Sequence, residues 1–152
     1  MSRYATVVGF VGFMLLAGLV CRVGPVQSAE GPEVGSKIHR VVMHLNSGEE
    51  KVQKGALNNI KNLYEAVGAE RVMVELVAHG AGLSLFTKQD TRLTEELVKL
   101  KTSYGVSYTA CSNTMKAQGL TRVDLIDQVD RTMPAMVRLM ELQEQGWAYI
   151  KP

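Results

Sequence analysis

From Lys37 onward, the chain alternates short runs rich in β-branched and aromatic residues with longer amphipathic stretches. Five short runs are strand candidates: IHRVVMHL (38–45), RVMVELVA (71–78), GVSYTA (105–110), QVDRTM (128–133) and WAYIK (147–151). Strands that alternate with helices favour parallel pairing, because each crossover returns the chain to the same edge of the sheet. The pattern predicts an α/β fold, a three-layer α/β/α sandwich around a largely parallel five-stranded sheet.

The first two helices are predicted from apolar spacing and end signals. EEKVQKGALNNIKNLYEAVG (49–68) carries apolar residues at helical spacing. Ser47 and Glu50 have the spacing of a capping box, in which Ser47 accepts a hydrogen bond from the amide of Glu50. Asp90 is the expected N-cap of a second helix that ends near Ser103.

Two shorter helices are predicted in the second half of the chain. Ser112 or Asn113 is the expected N-cap of a third helix that ends near Gly119. Pro134 suits the first turn of a fourth helix, which runs to Glu144. Three residues of this fourth helix are predicted to face the core: Met136, Val137 and Met140.

The N-terminus has the layout of a secretory signal peptide, an uncharged run at residues 5–20 between Arg3 and a polar segment. The run is shorter than the roughly 20 residues of a typical spanning helix, although about 17 suffice for an uncleaved anchor. We predict a signal peptide over residues 1–29, a linker over 30–36 and one α/β domain over 37–152. The expected location is the periplasm or the cell exterior, and the alternative is a membrane-anchored domain facing the periplasm.

Removal of residues 1–29 changes both the charge and the cysteine content. The whole chain has 17 Lys and Arg against 15 Asp and Glu, and the removed segment contains Arg3 and Arg22 but no acidic residue. The mature chain is then formally neutral, which argues against a nucleic-acid partner. Cys21 is lost, so Cys111 is the only cysteine that remains. An unpaired cysteine in an oxidising compartment is buried, paired between chains, or used in chemistry.

Candidate site residues follow three of the predicted strands. Ligands of parallel α/β sheets bind at the carboxyl ends of the strands, where the chain leads into helices. Asn46 follows the first strand, His79 the second and Cys111 the third, so they converge if these strands are neighbours. Cys111 is the candidate catalytic residue, because amides at a helix start favour a thiolate. The candidates that line its site are Asn46, His79, Ser112, Asn113 and Thr114.

Each candidate also has a purely structural interpretation. Cys111 can be a small buried core residue, the polar residues after it can cap a helix, and His79 can bond to loop backbone. A metal centre is not expected, because His39 and His44 point to opposite faces of one strand and no His-x-x-x-His or Cys-x-x-Cys pair is present. G-x-G-x-x-G is also absent, so we predict no cofactor.

Four ordered segments resemble the DsrE/DsrF-like sulfur-relay proteins over residues 37–152: HLNSGEEKVQKGALNNIKNLYEA, VELVAHGAGLSLF, GVSYTACSNTMKAQGL and ELQEQGWAYIKP. The resemblance is greatest to single-chain DsrE family members, a number of which carry a signal peptide. It implies a three-layer α/β/α fold and homo-oligomers, commonly trimers or hexamers. It also implies that the cysteine matching Cys111 accepts sulfane sulfur as a persulfide and hands it to a partner.

Two functional hypotheses follow. The first is an exported sulfur carrier or sulfurtransferase that uses Cys111, with other copies of itself as partners and with an unidentified sulfur donor and thiol acceptor. An exported copy would be separated from the partner subunits of cytoplasmic relay proteins, so the direction of transfer stays open. The second is a non-catalytic oligomeric protein that packs Cys111 and has a structural or small-ligand-binding role. Nucleic acid is not an expected partner, and a membrane is one only if the N-terminal segment is retained.

Overall fold

A parallel sheet of five strands forms the centre of the domain. The computed structural model describes residues 37–152, so the predicted signal peptide and linker lie outside the described residues. The strands are β1 (His39–Leu45), β2 (Val72–Ala78), β3 (Ser107–Cys111), β4 (Arg131–Met133) and β5 (Ala148–Ile150). Their order is β4-β3-β2-β1-β5, and every neighbouring pair is parallel. The predicted α/β fold is confirmed.

Four α-helices connect these strands: α1 (Glu50–Val67), α2 (Thr94–Tyr104), α3 (Ser112–Ala117) and α4 (Ala135–Glu144). Within the described residues, three short 3₁₀ segments that the sequence did not predict lie at Ala69–Arg71, Gly80–Phe86 and Arg122–Asp124. Within residues 37–152, no helix is both long enough and apolar enough to cross a bilayer.

The two faces of the sheet are covered unequally. The main core joins Met43 of β1 and Leu76 of β2 to Ile60 of α1 and Leu97 of α2, all of them fully or almost fully buried. On the opposite face, α4 covers a second and smaller cluster. The residues of this smaller cluster are Val42, Val77, Cys111, Ala135, Leu139 and Leu142. The three layers are therefore present, but the α4 layer is thin.

The prediction for the inward face of α4 is wrong. Met136, Val137 and Met140 are 57%, 40% and 51% exposed, whereas the buried residues of this helix are Ala135, Leu139 and Leu142. Both sets recur at helical spacing, so the sequence pattern alone does not choose between them.

The predicted caps of the first two helices are also wrong. The hydroxyl of Ser47 accepts from the amide of Glu49, at 3.2 Å, rather than from that of Glu50. The carboxylate of Asp90 accepts from the hydroxyl of Thr87, at 2.7 Å, and α2 begins only at Thr94. Both polar side chains stabilise the loop before the helix rather than its first turn.

The strand order creates a switch point beside β1. The chain steps from β1 to β4 in one direction, and α4 then returns it across the other face of the sheet to β5 on the far side of β1. In open α/β sheets, ligands bind at the carboxyl ends of the strands near such a reversal. A ligand site is therefore expected between the carboxyl ends of β1 and β5.

Candidate functional site

The three strand-end candidates lie at one edge of the sheet, because β1, β2 and β3 are neighbours. Ala110 pairs with Ala78, so His79 and Cys111 occupy the next positions of adjacent strands. The amide of His79 donates to the carbonyl of Leu45, at 3.0 Å, which extends the ladder to β1. Asn46 follows β1 and is exposed.

Four hydrogen-bond donors surround the sulfur of Cys111. The amide of Ala135, at the start of α4, lies 3.4 Å from Sγ. The hydroxyl of Thr114 and the amides of Asn113 and Thr114 are the other donor groups that act on the sulfur and lower its pKa. Burial alone would raise the pKa of the thiol, but these bonds outweigh it and hold the pKa of Cys111 below its ordinary value of 9.0. The surroundings therefore favour the thiolate, which is the nucleophilic form.

Cys111 is at the same time a packed residue. It is 5% exposed and contacts the smaller apolar cluster. Hydrophobic packing accounts for its burial, but a core cysteine does not need several donors at its sulfur. The structure therefore combines the two interpretations that the sequence left open.

Thr114 links the loops that follow β2 and β3. Its hydroxyl accepts from the amide of Gly80, at 2.9 Å, while donating its own proton to Cys111. The predicted capping role of Ser112 or Asn113 is wrong, because Cys111 occupies the N-cap position and α3 begins at Ser112. Asn113 contributes its backbone amide to the site, and Ser112 is half-buried.

A second group of side chains, which the sequence analysis missed, lies beside these candidates at the carboxyl ends of the strands. The hydroxyl of Tyr149 on β5 lies 2.5 Å from Nδ1 of His44 on β1, and the rings of His44 and His79 stack with centroids 4.7 Å apart. Burial, the neighbouring His79 and Lys151 lower the pKa of His44 to about 4. Burial and Lys151 also lower the pKa of His79. Both imidazoles are therefore neutral at pH 7.

This group depends on β5 lying beside β1, which no local pattern in the sequence reveals. Alternation along β1 places His44 on the same face as Val42, and the pairing of Val42 with Tyr149 brings the phenol to that face. Once the strand order is known, the register identifies both residues.

A buried carboxylate holds α4 against the sheet. Glu75 of β2 is 2% exposed and accepts two hydrogen bonds from Arg138 of α4, at 2.6 and 2.7 Å. Arg131, at 3.1 Å, and the hydroxyl of Thr109, at 2.7 Å, complete its partners. Burial would raise the pKa of Glu75, but these partners outweigh it and keep the pKa below the ordinary value of 4.5. Because α4 also carries the Ala135 amide, this network positions one of the four donors to Cys111.

The histidines do not build a metal centre in the described part of the chain. No group of three or more His, Cys, Asp and Glu side chains among residues 37–152 is arranged to hold a metal ion. His39 is exposed at the start of β1, at the opposite end of the strand from His44.

Comparison with known proteins places the chain in a family. The model of the DsrE/DsrF-like family matches residues 40–152, which include every candidate residue of the site. The solved structure of the protein of unknown function MTH1491 from Methanobacterium thermoautotrophicum is 31% identical with a TM-score of 0.70, and the match covers 75% of this chain and 99% of that chain.

A second solved structure supports the fold alone. The YchN protein of E. coli is 13% identical with a TM-score of 0.55, over 77% of this chain and 100% of that chain. No protein with a curated description matches the sequence. The family match and the likeness to MTH1491 together establish that the chain belongs to the DsrE/DsrF-like family, which is associated with sulfur relay.

Proposed function

We propose that this protein is an exported sulfur carrier that accepts sulfane sulfur as a persulfide on Cys111. The observation that carries the proposal is the set of four donors around Sγ, which stabilises the thiolate in spite of burial. Membership of a family associated with sulfur relay supports the same chemistry. If a specific acceptor thiol takes the sulfur in turn, the protein acts as a sulfurtransferase.

The proposed step is a displacement at sulfur. The Cys111 thiolate attacks the terminal sulfur of a sulfane donor, such as thiosulfate or a polysulfide. A new S–S bond forms at Sγ, the donor's own bond to that sulfur breaks, and its electron pair leaves with the remainder of the donor as an anion. An acceptor thiolate then attacks the terminal sulfur of the Cys111 persulfide and regenerates the Cys111 thiolate. No outside oxidant or reductant is consumed.

Export is part of the proposal and rests on the N-terminal sequence, which lies outside the described residues. With the segment cleaved after residue 29, Cys111 has no other cysteine in its chain to pair with. Its 5% exposure would protect the thiol from random oxidation in such a compartment. If the segment is retained, the same domain faces the periplasm from a membrane anchor.

Mass spectrometry tests the sulfur-accepting role. The full chain with Cys21→Ser, in which Cys111 is the only thiol, is incubated with thiosulfate or a polysulfide and its intact mass is measured. We expect an added sulfur mass that a thiol reductant removes and that Cys111→Ser, in the same background, never acquires. No adduct with either donor would overturn the proposal.

The low exposure of Cys111 favours a second candidate function, a non-catalytic protein in which the cysteine is only packed. The two candidates differ in native thiol reactivity. A sulfur carrier reacts with a small alkylating reagent in the folded state, whereas a packed cysteine reacts only after denaturation. Time courses of alkylation with and without urea separate them.

We also propose that the chain assembles with copies of itself through the face that α4 partly covers. The support is a group of exposed apolar side chains on or beside this face, 41–57% exposed: Met73, Met136, Met140 and Tyr149. Exposed apolar patches of this kind are typical of protein–protein contacts. Family resemblance suggests a trimer or hexamer.

A further inference from the structure

The stacked histidine pair, His44 and His79, has unused hydrogen-bonding capacity. The Nε2 atom of each ring is buried and has no hydrogen-bond partner among the described residues. His44 itself is 8% exposed. Buried polar atoms are nearly always paired, so two adjacent unpaired ones call for an explanation, and a bound ligand is one.

The contact with Tyr149 is compatible with a His44 tautomer that carries its proton on Nε2. The phenol hydroxyl lies 2.5 Å from Nδ1 and makes no other hydrogen bond within residues 37–152. When the hydroxyl donates to Nδ1, the proton of the neutral imidazole lies on Nε2. The unpaired Nε2 of His44 is then an N–H donor without an acceptor, and in this tautomer it is not a metal ligand.

His44 lines a groove at the switch point between β1 and β5, whereas its own Nε2 atom is buried and His79 is not a lining residue. The groove has a volume of about 440 Å³ and is lined by His44 and Tyr149 of the sheet and by five residues of α4: Met136, Leu139, Met140, Gln143 and Glu144. The positive charge of Lys151 acts on both histidines. Glu144 is exposed at the groove, so water screens its negative charge.

We propose that His44 and His79 form a binding site for a small oxyanion, which accepts hydrogen bonds from the unpaired Nε2 atoms when both rings carry their proton there. In the His44 tautomer protonated on Nε2, this N–H group and the positive charge of Lys151 both favour an anionic ligand over a cation. His79 occupies the strand position beside Cys111, so an oxyanion bound here lies one strand away from the thiol.

The oxyanion site has a role in sulfur transfer only if Cys111 accepts sulfur, so this inference rests on the proposed function. It implies that the sulfane donor is itself an oxyanion of the thiosulfate class, whose sulfite portion is held by the histidines. The Cys111 thiolate would attack the outer sulfur, and sulfite would leave with the electron pair of the broken S–S bond.

The test measures binding without sulfur transfer. The full chain with Cys111→Ser, labelled with ¹⁵N on histidine, is titrated with thiosulfate, sulfate and phosphate while the imidazole resonances are recorded. We expect the Nε2 signals of His44 and His79 to shift with saturation, and the signals of the exposed His39 to stay in place. Saturation by thiosulfate but not by phosphate identifies a sulfur oxyanion, and saturation by all three identifies a general oxyanion site.

Two histidine variants distinguish thiosulfate binding at the His44–His79 pair from nonspecific binding at the protein surface. His79→Gln is expected to weaken thiosulfate binding by at least tenfold, whereas His39→Gln leaves it unchanged. If no anion shifts the His44 and His79 signals, or if His39 shifts equally, the inference is wrong. That result would leave the sulfur-accepting role of Cys111 intact, since that role is tested separately by mass.

Discussion

Thr114 is the side chain on which the environment of the thiol depends most. Its single hydroxyl donates to Cys111 and accepts from the Gly80 amide, so it ties the sulfur to the loop that follows β2. The other donors to the sulfur are backbone amides, which no substitution removes cleanly. A hydrogen bond to a charged group is worth about 1.5–3 kcal/mol, enough to decide how readily the thiol ionises.

We expect Thr114→Val to slow the reaction of Cys111 with iodoacetamide at pH 7 by about tenfold, because the thiolate loses a donor. Valine keeps the shape of threonine while removing the hydroxyl. Ser112→Ala, one residue after the cysteine, is the matched control and should react at the wild-type rate. Equal rates for Thr114→Val and wild type would show that the hydroxyl does not stabilise the thiolate.

At the scale of residues, the sequence could identify Cys111 but not its surroundings. The strand-to-helix pattern placed this cysteine at the carboxyl edge of the sheet, and the structure has it there. The contacts of His44 with Tyr149 and of Ala135 with Cys111 join residues far apart in the chain. Such contacts depend on strand order and helix placement, which local spacing does not encode.

At the scale of elements, the carboxylate of Glu75 on β2 anchors α4 to the sheet through Arg138. We expect Glu75→Gln to lower the free energy of unfolding by about 3 kcal/mol, because Arg138 would lose its charged partner in a largely buried position. Urea unfolding measures the change. The exposed ion pair of Glu65 with Lys61 provides the control, since Glu65→Gln should cost less than about 0.5 kcal/mol. Similar costs for both variants would contradict a special role for Glu75.

The same carboxylate predicts a pH dependence. The pKa of Glu75 is lower in the folded chain than its ordinary value of 4.5. Its contribution to stability is therefore complete above pH 4.5 and is lost as the pH falls through the folded pKa. Wild type should lose stability in this acidic range more steeply than Glu75→Gln, as measured by urea unfolding at a series of pH values. Parallel curves would contradict the prediction.

The 3₁₀ segment Gly80–Phe86 depends on a close backbone approach. A Cβ on Gly82 would lie 2.6 Å from the carbonyl oxygen of Leu45, so Gly82→Ala is expected to destabilise the protein by about 2 kcal/mol. Gly55 of α1 has open space around its Cα, and Gly55→Ala should instead stabilise by about 0.5–1 kcal/mol. Thermal unfolding of both variants tests whether the two changes in stability have opposite signs. A Gly82→Ala variant as stable as wild type would refute the close contact.

Whole elements were more predictable than their details. All five strands and four helices were expected, because periodicity and breaker residues extend over many positions. The inward face of α4 was mispredicted, since Met136 and Leu139 fit apolar stripes equally well. In the structure the Leu139 face is buried and Arg138 of the same helix pairs with Glu75 of β2, a contact between distant elements that local spacing does not encode.

At the scale of the whole molecule, the thin α4 layer leaves apolar surface without cover. We expect Met140→Glu, on the exposed side of α4, to dissociate the proposed homo-oligomer, because a charge would be buried in the contact. Val123→Glu is the control, since Val123 is 76% exposed and lies outside the α4 layer. Sedimentation measures both, and a monomeric wild type would refute the assembly.

The central property of the site is that folding makes Cys111 easier to ionise. The direct measurement is an ultraviolet titration of the thiolate in the Cys21→Ser chain, native and in urea, with the Cys111→Ser spectrum in the same background subtracted to remove tyrosine. The four donors predict a native pKa below that of the unfolded chain. A native pKa equal to or above the unfolded one would mean that burial prevails, and Cys111 would then be a packed core residue rather than a sulfur carrier.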